Sequence, residues 1–201
     1  MHVTLPSGDL TLEGELTVLA GATRAAVICH THPQYGGDMH NPVVRAVERG
    51  LQQAGLSTLR FNFRGVGRSG AYAGGSGEQD DARAALAYLR AYAGAGSITL
   101  AGYSFGAMVA LQVGHSLAAV DRLIAVAPPL AFFDLAALAG GAKPMLCIAG
   151  DRDRYCSVAE LRRQLSGIAE SKTQCVLAGA DHFLLGHESA VAAAVSTFVA
   201  R

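Results

Sequence analysis

The 201 residues suit one domain with a two-sided core, half of them hydrophobic and only 16% charged. Formal net charge is zero, which argues against a nucleic-acid partner, and no apolar run reaches the roughly 18 residues of a bilayer span. Met1-His2-Val3-Thr4-Leu5-Pro6 has neither a basic stretch nor a long apolar one, so no secretory leader is expected and a cytoplasmic setting is.

The first 20 residues read as a hairpin, because Leu10-Thr11-Leu12-Glu13-Gly14-Glu15-Leu16-Thr17-Val18 alternates apolar and polar side chains as a half-buried antiparallel strand does. From Ala25 onward, apolar runs alternate with helical stretches. Strands are expected at 25–29, 57–63, 98–102, 122–127, 144–149 and 174–178, and helices at about 40–54, 78–93, 105–117, 157–168 and 188–200. Alternation of this kind builds a mostly parallel sheet with helices on both faces. No repeat, low-complexity tract or linker divides residues 1–201. Of the four cysteines, Cys29, Cys147 and Cys175 lie in apolar strand-like runs and Cys156 lies outside them. With no Cys-x-x-Cys pair, they read as small buried hydrophobes rather than a disulfide frame or a zinc site.

His30-Thr31-His32-Pro33-Gln34-Tyr35-Gly36-Gly37 follows the first parallel strand. Two histidines one residue apart suggest metal ligands, yet no cysteine or carboxylate cluster completes a coordination sphere. The loop reads instead as one that aims a backbone N–H at a reacting oxygen. Proline cannot donate, so the donor candidates are the amides of His32 and Gln34.

Gly65-Val66-Gly67-Arg68-Ser69-Gly70 imitates the dinucleotide fingerprint. The context excludes it. The next helix opens near Glu78, beyond the further run Gly74-Gly75-Ser76-Gly77, and the next strand carries no carboxylate for a ribose. Arg64 and Arg68 are expected to staple this loop, the alternative being an acidic substrate group.

Gly102-Tyr103-Ser104-Phe105-Gly106 stands between an apolar strand and a small-residue helix. A strand entering a helix through Gly-x-Ser-x-Gly forces the serine onto a strained turn, exposes its Oγ and places a helix N-terminus beneath developing negative charge. The bland reading is a helix cap at Ser104. The segment from Leu130 to Gly141 then offers either a small apolar wall over the site or an ordinary connector.

An acid and a base follow. Gly150-Asp151-Arg152-Asp153 places carboxylates at a strand's C-terminal end, where ligands bind in such sheets, and Gly179-Ala180-Asp181-His182-Phe183 follows the last strand. Ser104, Asp153 and His182 are in the chain order of a nucleophile, orienting acid and general base. Asp151 is the rival acid and is expected to cap its loop. His115 and His187 are rival bases, expected respectively as a cap on the end of the post-serine helix and as a partner at the start of the last one.

Together these motifs resemble the α/β-hydrolase superfamily, and within it the small, capless bacterial serine hydrolases. The likeness covers nearly the whole chain and rests on the loop 30–37, Phe61-Asn62-Phe63-Arg64-Gly65-Val66-Gly67-Arg68-Ser69, Gly102 to Gly106, Gly150-Asp151-Arg152-Asp153 and Asp181-His182-Phe183. One departure is Thr31, where members commonly carry glycine. The resemblance implies a three-layer α/β-hydrolase fold with no large lid domain. It also implies Asp153 as the acid and the amides of Phe105 and His32 as oxyanion donors. Gln34, Tyr35, Tyr103 and Phe183 flank these positions and are the expected substrate contacts. The expected activity is hydrolysis of small carboxylic esters or thioesters through an acyl-enzyme, with no cofactor, no metal, no nucleic-acid or membrane partner, and a monomer or homodimer. An acyltransferase or peptidase using the same three residues, or a non-catalytic binding module on this fold, are the alternatives.

Overall fold

Side-chain alternation along the central strands decides the architecture. Within Arg24–Cys29, Ala25, Val27 and Cys29 enter one buried cluster while Ala26 and Ile28 enter another. Such a strand is stable only with helices on both sides. In the computed structural model, which describes residues 1–72, 77–138, 143–168 and 171–201, the chain supplies both layers.

The strands are β1 (His2–Ser7), β2 (Leu10–Thr17), β3 (Arg24–Cys29), β4 (Ser57–Phe61), β5 (Ser97–Tyr103), β6 (Arg122–Val126), β7 (Met145–Gly150) and β8 (Lys172–Leu177). They form one sheet in the order β1-β2-β4-β3-β5-β6-β7-β8. The β1–β2 and β2–β4 pairs are antiparallel and all the others parallel. The expected N-terminal hairpin thus joins the parallel sheet through β4.

Helices α1 (Pro42–Gln53) and α5 (Glu188–Val199) cover one face, burying Val43, Val47, Leu51, Val191, Val195 and Val199. The other face is covered by α2 (Glu78–Ala93), α3 (Phe105–Gly114) and α4 (Val158–Ser166), with Leu89, Leu111 and Leu161 among the buried residues. Local chemistry sets several boundaries. Proline opens α1 while the Asn41 side chain accepts from the Val43 amide, so this helix starts two residues later than the sequence suggests. Ser157 caps α4 through the Glu160 amide. Gly50 lies where α1 meets α5: a Cβ there would fall 2.4 Å from the Ala192 carbonyl oxygen.

Strand β4 ends at Phe61 rather than at Phe63. Asn62 keeps a main-chain bond to the Glu13 carbonyl at 2.9 Å, but side chains claim the groups around it and the amide of Phe63. The Asn62 carboxamide accepts from the Met39 amide and donates to Glu13, and the Phe63 amide donates to His30. Cys29, Cys147 and Cys156 are buried, but Cys175, on the edge strand β8, is only half-buried. The expected glycine run at 74–76, and residues 139–142 of the segment after β6, lie outside the described residues.

Candidate active site

Ser104 joins β5 to α3 with φ 54° and ψ −119°, a conformation that an L-residue holds only when its surroundings impose it. The imposition is visible on both sides. A Cβ at Gly102 would lie 2.1 Å from the Gly106 carbonyl oxygen, and one at Gly106 would lie 2.3 Å from the His30 oxygen and 2.4 Å from the Cys29 oxygen. Strand, turn and helix approach this closely only without those side chains. The Ser104 amide is tied to the Val126 carbonyl at 2.8 Å, and its side chain makes no cap on α3, unlike the bland reading.

The Ser104 hydroxyl lies 2.9 Å from His182 Nε2, and His182 Nδ1 lies 2.8 Å from Asp153 Oδ2. The Asp153 carboxylate is fully buried, and its Oδ1 accepts from the amides of Tyr155 at 2.8 Å and Cys156 at 2.9 Å. With one oxygen fixed by backbone, the other is aimed at the imidazole. A buried carboxylate is a poor donor and a strong acceptor, so Nδ1 carries the ring proton and Nε2 is left to accept from Ser104. Asp151 is elsewhere engaged: its Oδ1 accepts from the Gly179 amide at 2.8 Å and so caps the loop. The rival histidines sit at helix ends. His115 caps α3, its Nδ1 within 2.9 Å of the Gln112 carbonyl, and His187 is the residue that immediately precedes α5.

The loop 30–37 is anchored by His30. This ring is fully buried, donates from Nδ1 to the Thr31 carbonyl at 2.6 Å and accepts at Nε2 from the Phe63 amide at 3.0 Å. Burial pushes its pKa down to about 4, so it is neutral at neutral pH and both ring nitrogens are used. Beyond it, the His32 ring accepts from the Gln34 amide at 3.2 Å and packs on Phe105 with ring centres 4.6 Å apart. That contact removes Gln34 as an oxyanion donor. Among the described residues, the amides of His32 and Phe105 have no hydrogen-bond partner, the latter because it opens α3. The far end of the loop is pinned to the β4 end, where Arg60 Nη1 donates to the Met39 carbonyl at 2.6 Å.

The expected substrate contacts divide. Tyr35 is 87% exposed beside His32, Phe183 is 61% exposed beside His182, and Gln34 is exposed. Tyr103 is not on the surface. Strand alternation turns it into the α1/α5 core, and its hydroxyl donates to the His182 carbonyl at 2.9 Å, so it supports the site from below rather than lining it. The sequence reading passed over Tyr155, whose ring stands edge-on to His182 with centres 4.9 Å apart. Its only signal was an aromatic residue two places beyond the acid. The segment after β6 combines both readings given for it: Leu130, Leu135 and Leu138 join the core, while Phe132 stands out beside Tyr155.

Both loop arginines are staples. Arg64 makes a two-pronged bond to the buried Asp81, and Arg68 pairs with Glu13 at 2.8 Å. Among the described residues, no group of three or more His, Cys, Asp or Glu side chains is placed to hold a metal ion, and no helix is long and apolar enough to cross a membrane.

Comparison with known proteins places the fold. The model of the alpha/beta hydrolase fold family matches residues 27–144. An uncharacterized protein, RP471, from Rickettsia prowazekii (strain Madrid E) is 33% identical over 168 residues, which are 79% of this chain and 71% of that one. An alpha-beta serine hydrolase homologue from Coxiella burnetii is 33% identical with a TM-score of 0.90, over 98% of this chain and 96% of that one. XC6422 from Xanthomonas campestris, described as an a/b serine hydrolase without lid, is 31% identical with a TM-score of 0.84, over 99% of this chain and 93% of its own.

Proposed function

The chain belongs to the alpha/beta-hydrolase family, and on that premise we propose that it is a serine hydrolase of small carboxylic esters or thioesters, working through an acyl-enzyme on Ser104. The observation that carries this reading is the unbroken series from the Ser104 hydroxyl through the His182 imidazole to the buried Asp153 carboxylate, with the serine on a φ 54° turn.

In the first half-reaction Ser104 Oγ attacks the acyl carbon while its proton passes to His182 Nε2, and the carbonyl π pair becomes an oxyanion. The amides of Phe105 and His32 are free to receive that charge, at a helix N-terminus where negative charge is favoured. Collapse of the tetrahedral adduct breaks the bond to the alcohol or thiol, which leaves with the proton held by His182. Water then attacks the acyl-enzyme with His182 as base, and the carboxylic acid departs as Ser104 regains its proton. Asp153 stabilises the imidazolium in both halves. Four free thiols support a reducing, cytoplasmic setting for this work.

The test is covalent labelling by a fluorophosphonate probe read by intact mass. Wild-type protein is expected to gain one adduct on Ser104. Ser104→Ala is expected to gain none and to lose roughly five to six orders of magnitude in kcat on small activated esters, since the three residues act as a unit. A Ser104→Ala protein with near-wild-type turnover would sink the mechanism.

A further inference from the structure

The exposed aromatic side chains are Tyr35, Tyr92, Phe132, Tyr155 and Phe183, and all of them except Tyr92 stand beside residues of the candidate site. Of its seven phenylalanines, the two that are exposed, Phe132 and Phe183, both stand at the candidate site. Phe132 is 76% exposed and Tyr155 46% exposed, and their rings lie side by side with centres 6.1 Å apart and planes inclined by 31°.

Their positions are fixed by backbone. The Tyr155 amide bonds Asp153 Oδ1, and the Tyr155 carbonyl accepts from the Ala131 amide at 3.0 Å. The loop bearing Phe132 is therefore fastened to the loop bearing the acid, and Tyr155 in turn meets the edge of the His182 ring. Two large apolar rings left in water at the reacting end of the molecule offer a planar apolar group a surface on which to stack.

Chemistry identifies which part of the substrate that is. The imidazole that the Tyr155 ring meets must deliver its proton to the departing oxygen or sulfur, so the leaving group passes next to Tyr155 and toward the Phe132 ring beside it. The oxyanion side is different ground, formed by Phe105 and the loop 30–37.

We propose that Phe132 and Tyr155 are specificity-determining residues that select esters or thioesters whose leaving alcohol or thiol carries an aromatic ring. This rests on the proposed serine-hydrolase reading and extends it to the leaving-group side of the substrate.

Two substrate series test it: methyl acetate against benzyl acetate, which varies only the alcohol, and methyl acetate against methyl phenylacetate, which varies only the acid. Wild-type protein is expected to prefer benzyl acetate by kcat/KM. Phe132→Ala and Tyr155→Ala are each expected to lower that preference about tenfold, while Tyr155→Phe, which keeps the ring, retains it. The acid-side ratio is expected to stay within about threefold, and Tyr92→Ala, exposed on α2 away from the site, to change neither ratio. A purely structural role would scale both substrates of a pair together and leave the ratios fixed. An unchanged alcohol-side ratio, or a shift confined to the acid series or equal in both, overturns the proposal. Fluorophosphonate labelling of the same preparations separates the two levels. Labelled protein with unmoved ratios refutes the aromatic subsite alone, and wild-type protein that takes no label refutes the serine reading and the subsite with it.

Discussion

Tyr103 donates its hydroxyl to the main-chain carbonyl of His182 across 2.9 Å, which ties the residue before the nucleophile to the backbone of the base. The bond crosses from the end of β5 to the loop after β8, two segments separated by β6 and β7 in the sheet. Burial, aided by the charges of Asp153 and Asp181, pushes the Tyr103 pKa upward, so the group remains a donor at any working pH. Tyr103→Phe keeps the packing and removes only the donor. It is expected to cost about 1 kcal/mol in urea unfolding. It is also expected to lower kcat about tenfold, with KM little changed, as the imidazole loses its fixed position. A folded Tyr103→Phe protein with wild-type kcat would show that the bond positions nothing.

Asp153→Asn tests the tautomer. Oδ1 is held by the amides of Tyr155 and Cys156, so an asparagine in this place keeps its oxygen there and turns its NH2 toward His182 Nδ1. The imidazole must then accept at Nδ1 and carry its proton on Nε2, facing Ser104 with a donor instead of an acceptor. The expected loss in kcat is on the order of 10³–10⁴. Nitrogen NMR of the ring, which distinguishes the two tautomers, is expected to show the proton moved from Nδ1 to Nε2.

His30 sets an acid limit on stability. Burial pushes its folded-state pKa down to about 4 from the ordinary value of 6.5. Between those values the unfolded chain binds a proton that the folded chain refuses. The contribution of His30 is therefore complete above about pH 6.5, declines as the pH falls, and is exhausted near pH 4, a loss of about 3 kcal/mol. Urea midpoints measured from pH 7 to pH 4 are expected to fall along that window. The His30 ring resonances are expected to keep their neutral positions down to about pH 5, and titration near pH 6.5 in the folded protein would contradict this account.

What the sequence disclosed and what it hid divide along physical lines. Strands such as β3 and β7 were legible because fully buried parallel strands are continuous apolar runs, and α4 because Ser157 and Glu160 mark its start. Ser104, Asp153 and His182 were legible as motifs, each at a strand's C-terminal end. The overrun of β4 was not, because its end is set by long-range bonds from His30 and Glu13 to residues that look strand-like. Tyr103 was misplaced for a similar reason: proximity to the serine in sequence says nothing about which face of the sheet the side chain takes. Gln34 seemed free to donate until the His32 ring was seen to occupy its amide. Tyr155 has no local signature, since its contact with His182 joins residues brought together only by the fold.

Gly106 is held against the end of β3, and this supports the last prediction. A methyl group there would lie 2.3 Å and 2.4 Å from the carbonyl oxygens of His30 and Cys29, both backbone atoms that cannot swing aside. Relief requires α3 to retreat from the end of β3, and that movement carries the Phe105 amide away from the His32 loop. Gly106→Ala is therefore expected to destabilise the fold by more than about 2 kcal/mol. In whatever fraction remains folded, it is expected to lower kcat by about 10²-fold, the loss associated with one oxyanion donor. Gly50→Ala is the matched control: its Cβ would press on the Ala192 carbonyl between α1 and α5, away from the reacting groups. It is expected to lower stability while leaving kcat per folded molecule near wild type. Equal effects of the two variants on kcat, measured with active sites counted by fluorophosphonate titration, would show that the close contact at Gly106 serves packing alone.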